Sequence, residues 1–174
     1  MNHVTPTSLR VLRLLSADPM TQYHQREVAR RTGVSVGAAN QILRSFAASE
    51  LLSKDKRGKM LFYKANIENP IVRQFKILFT VVDLGALVKQ LKLLTDRIIL
   101  FGSCAEGTDV KESDIDLFIL TNGKLEVSRK IGRFKLTRRI APIILDPPGF
   151  ATLRREDAAL FDRISKGIVL WQAR

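Results

Sequence analysis

One stretch limits what this chain can fold into more than any other: a short apolar strand running directly into Gly102-Ser103, with Asp114-Ile115-Asp116 ten residues further on. Arg97 to Phe101 reads as the first strand, and Asp114-Ile115-Asp116-Leu117 continues into the apolar strand Phe118-Ile119-Leu120. In extended chain, residues two apart point to the same side, so Asp114 and Asp116 set two carboxylates on one face. Such a pair repels itself unless a cation sits between, and Mg²⁺ suits it, with substrate phosphates completing the octahedron. Gly102 lets the backbone approach a phosphate closely, and Ser103 offers a hydroxyl and an amide as donors.

Phe101-Gly102-Ser103-Cys104-Ala105-Glu106-Gly107 followed by Ser113-Asp114-Ile115-Asp116-Leu117 resembles the signature of the DNA polymerase beta superfamily. More narrowly, residues 97–174 are similar to the minimal nucleotidyltransferases. The resemblance implies a mixed sheet flanked by helices, with Gly102 and Ser103 binding a nucleoside triphosphate. It implies Asp114 and Asp116 as catalytic residues and ligands of two Mg²⁺ ions, which clamp that triphosphate for in-line attack by a hydroxyl on the α-phosphate. The family's usual third carboxylate lies on the neighbouring strand. Here that strand, Arg139 to Leu145, holds no acid, and Asp146 beyond it, before Pro147-Pro148, reads as a turn residue. Glu106 also stands where the family often has arginine.

Lys124 to Lys135 reads as a helix bearing Arg129, Lys130 and Arg133, and Lys135, Arg138 and Arg139 extend the basic stretch. Such a run is ordinarily a solvated face, with a second nucleic-acid contact or a phosphate-holding surface as the alternative. Asp157 to Ser165 and Gly167 to Trp171 close the chain as a helix and a strand, with Trp171 read as core.

The front of the chain follows a different pattern. Apolar residues at helical spacing predict helices over Ser8–Leu15, Gln25–Thr32 and Val36–Ser49, with Gly33 ending the second and Ser35 capping the third. Leu51-Leu52-Ser53 starts an extended segment, Lys56-Arg57-Gly58-Lys59 a turn, and Met60–Lys64 the return. Val28-Ala29-Arg30-Arg31-Thr32-Gly33-Val34-Ser35 through Leu51-Leu52 resembles the winged helix-turn-helix repressors of the multiple-antibiotic-resistance type, over roughly residues 7–66. That resemblance implies a double-stranded DNA partner, with the helix from Val36 in the major groove. Ser35, Gly37, Asn40, Gln41 and Arg44 would face the DNA, the amides pairing with adenine edges and Arg44 reading guanine or gripping phosphate. Lys54, Lys56, Arg57 and Lys59 would hold backbone phosphates.

The expected fold class is therefore a two-domain α+β chain: a winged helix-turn-helix over 1–68, connecting helices over 69–95 and a nucleotidyltransferase-like domain over 96–174. The connector reads as two helices, about 70–80 and 83–95, broken near Asp83 and Gly85. Its apolar stripes suit either two separate cores or a homodimer interface. Charge agrees with a polyanionic partner: 29 Lys and Arg against 17 Asp and Glu give a net +12. Cys104 is a lone cysteine, and His3 and His24 are the two histidines, which excludes an intrachain disulfide, a cysteine metal cluster and a histidine-rich zinc site. No basic leader with an apolar core opens the sequence, and Lys or Asp breaks every apolar run short of membrane length, so a cytoplasmic location is expected. Three functions stay open: a DNA-binding transcriptional regulator that binds a nucleoside triphosphate and Mg²⁺, an active nucleotidyltransferase, and an antitoxin-type partner of a helical nucleotide-binding toxin.

Overall fold

In the computed structural model, which describes residues 5–173, Thr5 sets where the first helix starts. Its hydroxyl accepts from the Ser8 amide at 3.1 Å, and the Ser8 hydroxyl accepts from the Thr5 amide at 2.7 Å. This reciprocal cap, with Pro6 supplying a preset φ, extends α1 (Pro6–Ala17) beyond the predicted Ser8–Leu15. Residues 1–4, which include His3 and open the stretch read as lacking a leader, lie outside the described residues, as does Arg174.

The chain divides into two units, one ending at Lys76 and the other starting at Ile77. In the first, α1 is followed by a two-residue strand β1 (Tyr23–His24), α2 (Gln25–Thr32) and α3 (Val36–Ala48). Gly33 takes φ 70° and its amide closes onto the Ala29 carbonyl, the left-handed stop that the sequence predicts. Strands β2 (Leu52–Arg57) and β3 (Met60–Ala65) then form a hairpin, and β1 adds to the far side of β3, all antiparallel. The hairpin turns at Gly58-Lys59, with Gly58 at φ 59°, so Lys56 and Arg57 belong to β2 and not to the predicted turn. Val11, Leu12, Leu15, Val28, Ala39, Leu43, Phe46 and Tyr63 make one core. Three helices backed by a β-hairpin in this order are a winged helix-turn-helix.

The connector departs from expectation. α4 (Pro70–Leu91) is a single helix running through Asp83 and Gly85. An interior glycine costs about 1 kcal/mol relative to alanine. Wholly buried Leu84, Leu87 and Leu91 outweigh it, each contributing about 1.5–3 kcal/mol.

In the second unit, β4 (Arg97–Phe101) leads into the short α5 (Ser103–Glu106), then β5 (Ile115–Leu120), α6 (Lys124–Arg133) and β6 (Ile140–Leu145). α7 (Pro147–Glu156), α8 (Ala158–Ser165) and β7 (Ile168–Gln172) complete it. The sheet runs β6-β5-β4-β7; β5 and β6 are parallel, joined across by α6, and the other pairs are antiparallel. Ile98, Leu100, Leu117 and Ile119 pack on one face against Leu84, Leu87, Leu91, Val127 and Ile131. Ile99, Phe101 and Phe118 pack on the other against Ile164, with Phe150, Leu153 and Leu160 around them. Helices thus cover both faces, which is why the strands read as unbroken apolar runs. The Trp171 indole, half-buried, donates to the Thr95 carbonyl at 3.2 Å.

α7 was hidden in the sequence by Pro147-Pro148, a dipeptide that reads as a breaker. Asp146 caps it instead of turning the chain: its carboxylate accepts from the Gly149 amide at 2.8 Å. Proline at the first helical positions lacks only an amide that would be unpaired there anyway.

Candidate functional site

Ser35 begins α3. Its hydroxyl accepts from the Ala38 amide at 3.2 Å, fixing the start of α3. Leu43 and Phe46 turn inward with Ala39, which leaves Gly37, Gln41 and Arg44 exposed on the opposite face and Asn40 half-buried at its edge. In the wing, Lys54, Lys56, Arg57 and Lys59 are all exposed. Arg57 is not idle: its guanidinium bonds the Asp55 carboxylate at 2.9 Å and the Gln22 side chain, and lies 5.2 Å over the Phe62 ring. These contacts stiffen the wing and leave the lysines as its more adaptable cations. Gln22 and Phe62 escaped the sequence reading because neither carries a charge pattern.

The second cluster lies where β4 ends. Phe101 pairs with Asp116 across the antiparallel ladder, and Gly102 then takes φ 68°, ψ −158°, a conformation open to glycine alone. A β-carbon on Gly102 would collide with the Asp116 carboxylate, so the glycine exists partly to make room for that acid. Ser103 opens α5 beside it. Asp116 shares the sheet face of Phe118 and α8, and burial pushes its carboxyl up, opposed by the Arg163 guanidinium. Arg163 itself lies 5.8 Å over the Phe101 ring. Asp114 stands one residue before β5, and Arg139 bonds its carboxylate and holds it below the usual range. The structure therefore sets Gly102 against the Asp116 carboxylate, with Ser103 next in the chain and Asp114 two residues before Asp116.

One supporting residue, Arg138, was read as part of a solvated basic run. Arg138 is largely buried and pairs with buried Asp109 at 2.5 Å; it also donates to the Thr80 hydroxyl at 3.4 Å and lies 3.3 Å from the Cys104 sulfur. The Cys104 thiol in turn donates to the Asp114 carbonyl at 3.3 Å. Arg138, Asp109 and Cys104 thus tie the loop between Ser103 and Asp114 to the start of β6. Charge counting along the sequence cannot separate Arg138 from its exposed neighbours, because burial depends on where β6 enters the sheet.

The third acid is absent from the neighbouring strand. Parallel pairing sets Ala141 beside Asp116 and Leu145 beside Leu120, so Asp146 lies at the opposite end of β5, on the order of 17 Å along the strand. It is engaged there by Lys124 at 2.7 Å. Among the described residues no three His, Cys, Asp or Glu side chains gather as a metal site. Of the two carboxylates, that of Asp114 is bonded to the Arg139 guanidinium, so in this arrangement its oxygens are not open to a divalent ion.

Among the described residues, no helix is long and apolar enough to cross a membrane. Residues 87–174 match the family described as Polymerase beta, Nucleotidyltransferase. Among solved structures, the homodimeric winged helix-turn-helix DNA-binding domain of a possible ArsR-family transcriptional regulator from Mycobacterium bovis is 21% identical, covering 46% of this chain and 70% of that one, at TM-score 0.38. A possible transcriptional regulator from Methanosarcina mazei is 15% identical over 50% of this chain and 78% of its own, at 0.38. The adhesin competence repressor of Streptococcus pyogenes is 17% identical over 53% and 69%, at 0.41. No curated protein matches the chain.

Proposed function

The chain belongs to the polymerase beta nucleotidyltransferase family, matched over half its length, and we propose that it is a DNA-binding transcriptional regulator whose family domain serves as a nucleotide-binding unit. The observation that carries the first half is the exposed face of α3. Gly37, Gln41 and Arg44 recur at helical spacing, clear of the core, in a unit that also presents Lys54, Lys56 and Lys59 on an exposed hairpin. An amide and a guanidinium there have the donor and acceptor geometry to read adenine and guanine edges, while the lysines neutralise phosphates.

The nucleotide half rests on the rim at Gly102 and Ser103, where an open backbone meets a hydroxyl beside two acids and two arginines. That set suits binding better than transfer, for want of a third carboxylate. Binding to DNA as a homodimer would suit the exposed apolar residues Ile71, Leu78 and Val82 on one side of α4.

Selection from random duplexes followed by mobility-shift titration tests the regulator reading. Gln41→Ala and Arg44→Ala are expected to relax sequence preference by about 1–3 kcal/mol at single base positions. Failure of the wild-type chain to prefer any sequence over bulk DNA would sink it. Incubation with α-labelled nucleoside triphosphates tests the second half: label transferred to an acceptor, and lost in Asp114→Ala/Asp116→Ala, would replace binding by catalysis.

A further inference from the structure

Arg139 engages one carboxylate of the pair, that of Asp114. Its Nε donates to both Asp114 oxygens, at 3.1 and 3.0 Å, and its Nη2 donates to Oδ2. The planar guanidinium fork matches a carboxylate in shape and charge, and this contact engages both of the oxygens an ion would need. Backbone pairing brings it there. Ile115 pairs with Ile140 and its amide donates to the Arg139 carbonyl at 2.9 Å, so one step back along two parallel strands sets Asp114 beside Arg139. The neighbouring Asp116 carboxyl is pushed up by burial, with Arg163 opposing the shift. Of the two carboxylates, that of Asp114 is therefore the one whose charge a guanidinium meets directly.

We propose that Arg139 is the fixed counter-ion of Asp114 and keeps divalent cations off the carboxylate pair, so that the phosphate ligand of this unit binds through protein groups without a metal ion. The inference refines the nucleotide reading of the same residues. Its test uses the ion alone, so either idea can fail without the other.

Mn²⁺ added to the full-length chain, without nucleotide, is followed by the paramagnetic resonance signal of the free ion. The wild-type chain should leave that signal unchanged at concentrations where Arg139→Ala depletes it, a gain in affinity of about tenfold or more, equivalent to about 1.4 kcal/mol. Arg139→Gln, which keeps a polar side chain but removes the charge, should behave like Arg139→Ala. Adding Asp114→Asn to Arg139→Ala should abolish the gain and locate the ion on that carboxylate. The Arg139 side chain is 78% exposed, so these variants should fold, and circular dichroism checks it. Equal behaviour of wild type and Arg139→Ala, whether both bind Mn²⁺ or neither does, overturns the assignment. So does a gain that survives Asp114→Asn.

Discussion

One glycine and one cysteine show how little room single residues can have in the second unit. A β-carbon on Gly167 would sit 2.5 Å from the Leu100 carbonyl oxygen and 2.6 Å from the Ile99 side chain, at the point where β7 rejoins β4. Backbone cannot step aside as a flexible side chain can, so Gly167→Ala should destabilise the protein by about 2–4 kcal/mol, read by urea unfolding. The Cys104 thiol is buried, and burial pushes its pKa up. It should resist iodoacetamide in the folded protein and react once urea unfolds the chain; prompt native-state alkylation would contradict that environment. Asp146 gives a pH prediction. Lys124, first, and the Gly149 amide hold its carboxyl below the usual value. The cap is therefore fully present above the ordinary carboxylate range and is lost as pH falls through the lowered folded value. Carbon-detected NMR titration should show Asp146 ionising below a free aspartate, and Lys124→Ala should move it back up.

At the scale of elements, α4 makes the clearest prediction. Gly85 lies inside the helix, exposed, with open space where a β-carbon would go. Gly85→Ala should stabilise the chain by about 1 kcal/mol, measured as a shift in the urea midpoint. That residue also misled the sequence reading, together with Asp83: a helix-breaking pair by composition is carried through because Leu84, Leu87 and Leu91 on the same turns are buried. Elements set by local periodicity and caps were legible: α2, α3, the Gly33 stop, the Ser35 cap, β4 and β5. Elements created by partners were not. β1 is only Tyr23–His24 and exists because β3 offers a free edge; α7 needs Asp146 to cap it. The acid pair could be read from spacing alone, but the cation facing it could not. Arg139 reaches Asp114 only through the β5–β6 register, which joins residues 25 apart in the chain.

For the whole molecule, charge decides what DNA binding should look like. A net +12, with exposed lysines on the wing, makes affinity fall steeply as salt rises, because each neutralised phosphate releases its counterions. Lys56→Ala and Lys59→Ala should each weaken binding on every sequence and lower the slope of log affinity against log salt by about 1. The cations therefore divide the work: Arg138, Arg139, Arg154 and Arg163 of the second unit engage internal partners, while the wing lysines stay open to an outside polyanion. One feature of the sheet bears on how the protein resists force. β7 pairs antiparallel with β4 so that Gln172 lies opposite Arg97, putting the entry of β4 and the exit of β7 at the same end of the pair. A pull between those two points loads the β4–β7 hydrogen bonds one after another, as a zipper is opened, and never shears them all together. Such a pull would therefore strip β7 with little force and leave Ile99 and Leu100 uncovered along the opened edge of the sheet.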